Sequence, residues 1–191
     1  MIITPIKIKK LFPPQDDLLN AIRVAVKKIS ERSILVVSSK VVSIHEGRCV
    51  AIDSVRDKDD LIKTEADYYI PRNKKTPYVM HTIVHNTLIP TAGIDESNAN
   101  GFYILWPEHP KKSVQTIYQW MRKTYRVNHV GIVIVDSHSV PLRRGVIGVS
   151  LSHYGFAPLN DYRGTRDLFG RTFSVSQTNI PDGLAAGAVL A

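Results

Sequence analysis

The sequence contains very little cysteine: Cys49 is the single one among 191 residues. An internal disulfide is therefore excluded, and the composition fits a reducing compartment. No uninterrupted apolar run approaches the roughly 20 residues that a membrane-spanning helix needs. The first residues also lack the basic start and long apolar core of a signal peptide. These absences predict a cytoplasmic protein that does not act in a membrane.

Repeats, low-complexity tracts and long linkers are also missing. Hydrophobic residues make up 43% of the chain and charged residues 22%, which is ordinary for a globular protein. A chain of this length can bury a sizeable core without disulfides or structural metals. We therefore expect a single domain over residues 1–191.

The charge is unbalanced toward basic residues, with a formal net charge of +8 and a pI near 9.6. Such a balance favours an anionic partner. The basic residues are scattered in pairs, however, whereas nucleic-acid-binding proteins usually concentrate them on one helix or tail with interleaved aromatic residues. We therefore predict a small polyanion, such as a nucleoside triphosphate or a polycarboxylate, and no nucleic acid. A basic nucleic-acid-binding module is the alternative that net charge alone supports.

The hydrophobic pattern predicts an α+β fold. Apolar residues at helical spacing indicate helices over residues 16–30, 57–69, 110–125 and 183–191. Runs rich in β-branched residues or with alternating polarity indicate strands over residues 4–8, 33–37, 78–89, 130–135, 146–152 and 173–177. We expect mixed, largely antiparallel sheets packed against three or four helices. Residues 74–77 would form a lid or a simple connection.

Two carboxylates follow predicted strands. Asp95 lies in the turn-forming stretch from Thr91 to Asn98, and Asp136 follows the most apolar strand of the chain. Mg²⁺ and Mn²⁺ take oxygen ligands and usually complete their shell with water and substrate phosphates. The pair therefore predicts a divalent-cation site. The alternative is that each carboxylate only caps a turn.

Other strand ends and loops carry groups suited to anions. Ser39 and Lys40 follow the strand predicted at residues 33–37, where hydroxyl and backbone N–H groups can hold phosphate oxygens or simply close a turn. Guanidinium groups bind phosphate and carboxylate bidentately, and the last third of the chain contains Arg143, Arg163, Arg166 and Arg171. Their alternative role is a structural ion pair, for example with Asp161 or Asp167.

Nearly the whole chain carries an ordered series of short segments. They are Thr4-Pro-Ile-Lys7, Ser38-Ser-Lys-Val-Val-Ser43, Glu46-Gly-Arg48, Asn86-Thr-Leu-Ile89, Ala92-Gly-Ile-Asp-Glu-Ser-Asn98, Leu105-Trp-Pro107, Asp136-Ser-His138, Pro141-Leu-Arg143, Asp161-Tyr-Arg-Gly164 and Asp167-Leu-Phe-Gly-Arg171. Together they resemble the γ-glutamyl ligase family of the enzyme that adds glutamate to the deazaflavin coenzyme factor 420. The resemblance is closest to the branch assigned to folate metabolism.

The resemblance implies specific roles for individual residues. The implied metal ligands are Asp95, Asp136 and the hydroxyl of Ser137. The implied nucleotide contacts are Leu11, Ser39, Lys40 and Asn98. Asp95, Asp136 and Arg143 would be catalytic, and the substrate-binding set would be His138, Arg163, Arg166 and Arg171. The resemblance also implies a γ-glutamyl ligase-like fold and a homodimer.

The implied activity is formation of an amide between L-glutamate and a folate-type carboxylate. It would use ATP or GTP together with Mg²⁺ or Mn²⁺, and the carboxylate would be activated as an acyl phosphate. The alternatives are a glutamate ligase acting on the deazaflavin coenzyme precursor and a non-catalytic homologue that binds nucleotide or folate.

Two features depart from the family pattern. Ile44 stands where the factor-420 enzymes have a lysine, and the sequence ends at Ala191, before the family's C-terminal glycine-rich loop. The first departure bears on the branch to which the protein belongs, and from the second we expect weak or no activity of this 191-residue form.

Overall fold

The computed structural model describes residues 1–74 and 77–191. Within them the chain forms five α-helices and ten β-strands. The helices are α1 (Leu18–Ala25), α2 (Ser39–Glu46), α3 (Lys58–Glu65), α4 (Pro110–Tyr125) and α5 (Ile180–Leu190). The strands are β1 (Ile34–Ser38), β2 (Cys49–Ala51), β3 (Tyr68–Ile70), β4 (His81–Val84), β5 (Thr87–Pro90), β6 (Phe102–Ile104), β7 (Gly131–Ser139), β8 (Val146–Tyr154), β9 (Leu159–Asp161) and β10 (Gln177–Asn179). None of the helices described is long and apolar enough to cross a membrane.

The central sheet has the strand order β1-β7-β8, with β1 parallel and β8 antiparallel to β7. Successive side chains of a strand point to opposite faces of its sheet. Ile132 and Ile134 accordingly belong to the main core, which includes residues of α1 and α4, whereas Val133 and Val135 pack with Ala185 of α5. The buried part of β7 is therefore covered on both faces.

Helix α5 approaches the central sheet closely because the facing residues are small. A Cβ built on Gly148 of β8 would lie 2.2 Å from the carbonyl oxygen of Ala185. Asn179 caps the helix by accepting a hydrogen bond from a backbone N–H of its first turn. The last turn of α5 thereby reaches the cavity described below, which Ala188 and Val189 line.

A second core contains residues of the sheets β3-β4-β5 and β2-β6. Its buried members include Ile62 of α3, Met80, Ile89, Tyr103 and Trp106. The segment that joins β5 to β6 crosses this core and contains Asp95. The two carboxylates of interest therefore come from different parts of the fold.

The α+β class with mixed, largely antiparallel sheets is confirmed. One of the six strand pairings among the described residues is parallel, and five are antiparallel. The helix predicted at residues 110–125 is α4, with Pro110 in its first turn. The fifth helix is α2, which begins directly after β1, where either a phosphate-binding strand end or a turn was expected.

Several predicted boundaries are wrong. Residues 4–8 form no strand, and Ile3 lies against Gly187 of α5. The helix predicted at residues 16–30 ends at Ala25, where Val26 turns to extended backbone. The strand predicted at residues 78–89 is a hairpin, because His85 and Asn86 take left-handed backbone conformations and reverse the chain.

The last predicted strand is also displaced. Instead of residues 173–177, strand β10 comprises Gln177–Asn179, which pair with β9. In the predicted lid or connection at residues 74–77, Lys75 and Thr76 lie outside the described residues.

Candidate active site

Asp136 lies inside β7, because this strand continues to Ser139 instead of ending in the predicted loop. The register between β7 and β8 shifts at Ile134 and Val135, so that Leu151 of β8 is left without a partner. Such a bulge bends the strand and changes the direction of the side chains that follow. Asp136 comes immediately after it, at the end of the buried run.

The carboxylate of Asp136 is held by several donors. The indole Nε1 of Trp106 donates to Oδ2 over 2.5 Å, and the backbone N–H of Ser137 donates to Oδ1 over 2.8 Å. Burial nevertheless raises the pKa of Asp136 above its ordinary value, and the nearby Asp95 charge raises it further. The donors, which include the Ser39 hydroxyl, oppose this rise without cancelling it.

Asp95 follows a tight turn of unusual backbone conformation. Thr91, Ala92 and Gly93 have positive φ angles of 52°, 54° and 68°. Asp95 then exchanges backbone hydrogen bonds with Ile104 on β6, over 3.0 and 2.8 Å. The turn and the bridge together fix where the Asp95 side chain starts.

The Asp95 carboxylate is neutralised locally. The ammonium of Lys40 lies 2.5 Å from Oδ2, and Ser97 donates to Oδ1 from its backbone N–H and its hydroxyl over 2.7 and 2.8 Å. Burial raises the pKa of Asp95, but the Lys40 and Ser97 contacts outweigh it and bring the pKa below its ordinary value. The two carboxylates are thus shifted in opposite directions.

The first turn of α2 completes this group. Strand β1 ends at Ser38 and α2 begins at Ser39, so the free N–H groups at the start of the helix lie at the same end of the sheet as Asp136. Lys40 extends from this turn and also donates to the carbonyl oxygen of Ser97 over 2.9 Å. It therefore connects α2 to the Asp95 segment.

A cavity of about 290 Å³ brings these groups together. Five residues predicted from the sequence line it: Ser39, Lys40, Asp95, Asp136 and Ser137. In the described part of the chain no group of three or more His, Cys, Asp or Glu side chains is arranged to hold a metal ion. The two carboxylates and the Ser137 hydroxyl nevertheless provide oxygen ligands for part of the coordination shell of a hard cation, whose remaining ligands are water or substrate oxygens. The donor set therefore fits Mg²⁺ or Mn²⁺.

The other predicted site residues lie outside the lining of this cavity. Leu11 is buried in the main core, and Asn98 is exposed with a φ of 54°. His138 points from β7 with its Nδ1 buried and without a hydrogen-bond partner among the described residues. Arg143 is exposed on the segment between β7 and β8.

The remaining arginines are exposed near the C-terminal strands. Arg163 forms a bidentate pair with Asp161 over 2.9 and 2.6 Å, which is the structural alternative expected for it. This pair lowers the pKa of the Asp161 carboxyl. Arg171 approaches Asp167 through its backbone N–H, and Arg166 lies in a short bridge with Thr172.

Trp106 and Gly93 were not predicted as site residues, although both line the cavity. A Cβ built on Gly93 would lie 2.3 Å from the indole of Trp106, so the ring requires glycine at this position. Each residue was visible in the sequence as part of a short motif. The contact between them depends on tertiary structure, which no local pattern indicates.

Comparison with known proteins gives consistent matches. The model of the family described as F420-0:Gamma-glutamyl ligase matches residues 6–191. A coenzyme F420:L-glutamate ligase of Methanopyrus kandleri is 30% identical over 98% of this chain and 80% of its own length. The protein of the same name from Methanothermobacter thermautotrophicus is 24% identical over 91% of this chain and 74% of its own length. That from Methanocaldococcus jannaschii is 28% identical over 84% of this chain and 70% of its own length.

Proposed function

The chain belongs to the F420-0:gamma-glutamyl ligase family, and from this premise we propose that it joins the amine of L-glutamate to a carboxylate of the deazaflavin coenzyme F420 precursor. The prediction of a ligase is confirmed by family membership. The predicted folate-type acceptor has no support from the three relatives, whose names specify coenzyme F420. The deazaflavin acceptor, predicted as the alternative, therefore takes first place.

The observation that carries the proposal is the convergence of Asp95, Asp136 and Lys40 on one cavity. A carboxylate and an amine do not condense in water unless the carboxylate is activated. Phosphoryl transfer from ATP or GTP gives an acyl phosphate, the glutamate amine attacks its carbonyl carbon, and inorganic phosphate leaves. The enzyme's contribution to such a reaction is mainly positioning and charge neutralisation.

Asp95, Asp136 and Ser137 are the residues that would hold Mg²⁺ or Mn²⁺. When bound, such an ion would neutralise phosphate charge and act as a Lewis acid. Lys40 and the backbone N–H groups at the start of α2 supply positive charge for phosphate oxygens on the neighbouring side of the cavity. Arg143, Arg166 and Arg171 remain candidates for the carboxylates of glutamate or of the acceptor.

The proposed functional form is a homodimer. Between β7 and β10 several large apolar side chains are almost fully exposed, with Leu142, Leu168 and Phe169 each above 95%. Single exposed apolar residues are common, but three such side chains in the two connections β7–β8 and β9–β10 support burial against a second copy. Light scattering at micromolar concentration should give the mass of a dimer, and the mass of a monomer would refute this part of the proposal.

The activity is tested with purified protein, glutamate, Mg²⁺ or Mn²⁺, either nucleotide and each acceptor in turn, over long incubations because weak activity is expected of the 191-residue form. Mass spectrometry should detect one added glutamyl unit on the deazaflavin precursor and none on folate. Addition to folate alone would overturn the proposed acceptor. A nucleotide-dependent thermal shift without turnover on either acceptor would instead favour a non-catalytic binding protein.

A further inference from the structure

Trp106 contacts both carboxylate-bearing segments of the candidate site. Its indole N–H donates to Oδ2 of Asp136 over 2.5 Å, and its ring lies directly on the backbone of Gly93, two residues before Asp95. The side chain is buried, with 3% of its surface exposed. It therefore lies between the two segments.

The backbone around Trp106 is held by Arg48. The carbonyl oxygen of Arg48 accepts a hydrogen bond from Leu105 N–H over 3.0 Å, and the Nε of Arg48 donates to the carbonyl oxygen of Trp106 over 3.1 Å. The Arg48 guanidinium is in turn paired with Glu65 on α3. Bonds on both sides of the Leu105–Trp106 peptide thus tie the indole to the second core.

This arrangement restricts the Asp136 carboxylate. A free carboxylate rotates readily, but here Trp106 holds one oxygen while the Ser137 N–H holds the other. Two donors on different oxygens define the plane of the carboxylate. An ionised carboxylate has about four lone-pair directions, so the lone pairs that accept no hydrogen bond are free for a ligand. Hydrogen bonds to a charged group are also stronger than those between neutral groups.

We infer that Trp106 is a positioning residue, which orients the Asp136 carboxylate and supports the Asp95 turn for the divalent cation. This inference rests on the proposed function, because the cation belongs to it. A buried indole N–H needs some acceptor in any case, so a purely structural role is the competing explanation. Groups that orient metal ligands typically change metal affinity by about 10- to 100-fold when they are removed, and a structural role predicts no such change.

The chain contains two tryptophans, and Trp120 serves as the matched control. Trp120 packs edge-on against Tyr125, with the ring centroids 5.7 Å apart, and both are partly buried against the main core. In a Trp120→Phe background, Trp106 is replaced by benzothienylalanine, whose sulfur takes the place of the indole N–H while the shape of the ring is kept. This substitution removes the donor without opening space over Gly93, so the protein should remain folded.

We expect the analogue to bind Mn²⁺ about 10- to 100-fold more weakly than its Trp120→Phe parent by calorimetry. The fluorescence of Trp106 in the Trp120→Phe protein should change on addition of Mn²⁺. That of Trp120 in a Trp106→Phe protein should not change, when both proteins are compared at Mn²⁺ concentrations that saturate them. Equal Mn²⁺ affinity of analogue and parent would overturn the inference. Asp136→Asn in the same background separates the inference about Trp106 from the proposed cation site. If Asp136→Asn loses Mn²⁺ binding while the analogue binds normally, the cation site stands and only the role of Trp106 is refuted. If Asp136→Asn and the analogue both bind Mn²⁺ like the parent, the cation site is refuted as well.

Discussion

Replacement of Lys40 by methionine should change the affinities for cation and nucleotide in opposite directions. The Lys40 ammonium lies 2.5 Å from Oδ2 of Asp95, one of the proposed cation ligands. Without nucleotide, a divalent ion must therefore displace this ammonium or share the carboxylate with it. Lys40→Met keeps an unbranched apolar stem of nearly the same length but removes the charged terminal group.

The expected magnitude follows from the exposure of the pair. The Lys40 and Asp95 side chains are 25% and 39% exposed, so solvent screens their attraction considerably. Measured values for exposed pairs reach about 1 kcal/mol, which corresponds to an increase of about five-fold in cation affinity. Loss of a charge-assisted contact to phosphate is larger, about 1.5–3 kcal/mol. Nucleotide affinity should accordingly fall by an order of magnitude or more.

Calorimetric titration with Mn²⁺ in the absence of nucleotide measures the first effect, and titration with nucleotide measures the second. Lys58→Met is a close control, because Lys58 pairs with the neighbouring Glu96 over 2.7 Å and is 30% exposed. It should leave the affinity for Mn²⁺ unchanged. If Lys40→Met binds Mn²⁺ no better than the parent, Asp95 is not the carboxylate for which the two cations compete.

Three further outcomes follow from the same geometry. Gly93→Ala should cost about 2–5 kcal/mol of unfolding free energy, because backbone strain adds to a clash with Trp106. Gly101→Ala is the control: its surroundings are open, so only the strain remains and the cost should be about 1–2 kcal/mol. Chemical denaturation measures both values. Thr82→Val should cost about 1–3 kcal/mol in the same assay, since its buried hydroxyl accepts a backbone N–H from the strained turn over 2.8 Å. The affinity for Mn²⁺ should fall as the pH drops through the raised pKa of Asp136, because the protonated carboxyl is a poor ligand. Binding at a pH near that pKa should release a proton. Absence of buffer-dependent binding heat would contradict the last expectation.

The sequence predicted best those elements whose stability is local. Helix α4 has a long amphipathic stripe and a proline at its start, and it spans the predicted residues 110–125. The helix predicted at residues 16–30 illustrates the limit. Val26 and Ile29 do pack on the main core, as the apolar stripe indicated, but the backbone there is no longer helical. Burial was therefore predictable where the backbone conformation was not.

The candidate site divides in the same way. The chemistry of Asp95 and Asp136 follows from residue type and from their place after apolar runs. Their partners do not, because Lys40 and Trp106 reach the two carboxylates only through the packing of α2 and of the second core. The exposed arginines show the converse, since Arg163 has the chemistry of a substrate ligand but pairs with Asp161 two positions away.

The charges lining the cavity suggest why cation and nucleotide would be used together. Asp95 and Asp136 contribute two negative charges when ionised, and Lys40 contributes one positive charge, so these three groups carry a net charge of minus one. A polyphosphate approaching them would be repelled, and in a partly buried site this repulsion is screened less than at an open surface. A divalent ion on the carboxylates would reverse the sign to plus one and release the Lys40 ammonium for phosphate oxygens. Under the proposed function, each ligand would therefore favour the binding of the other.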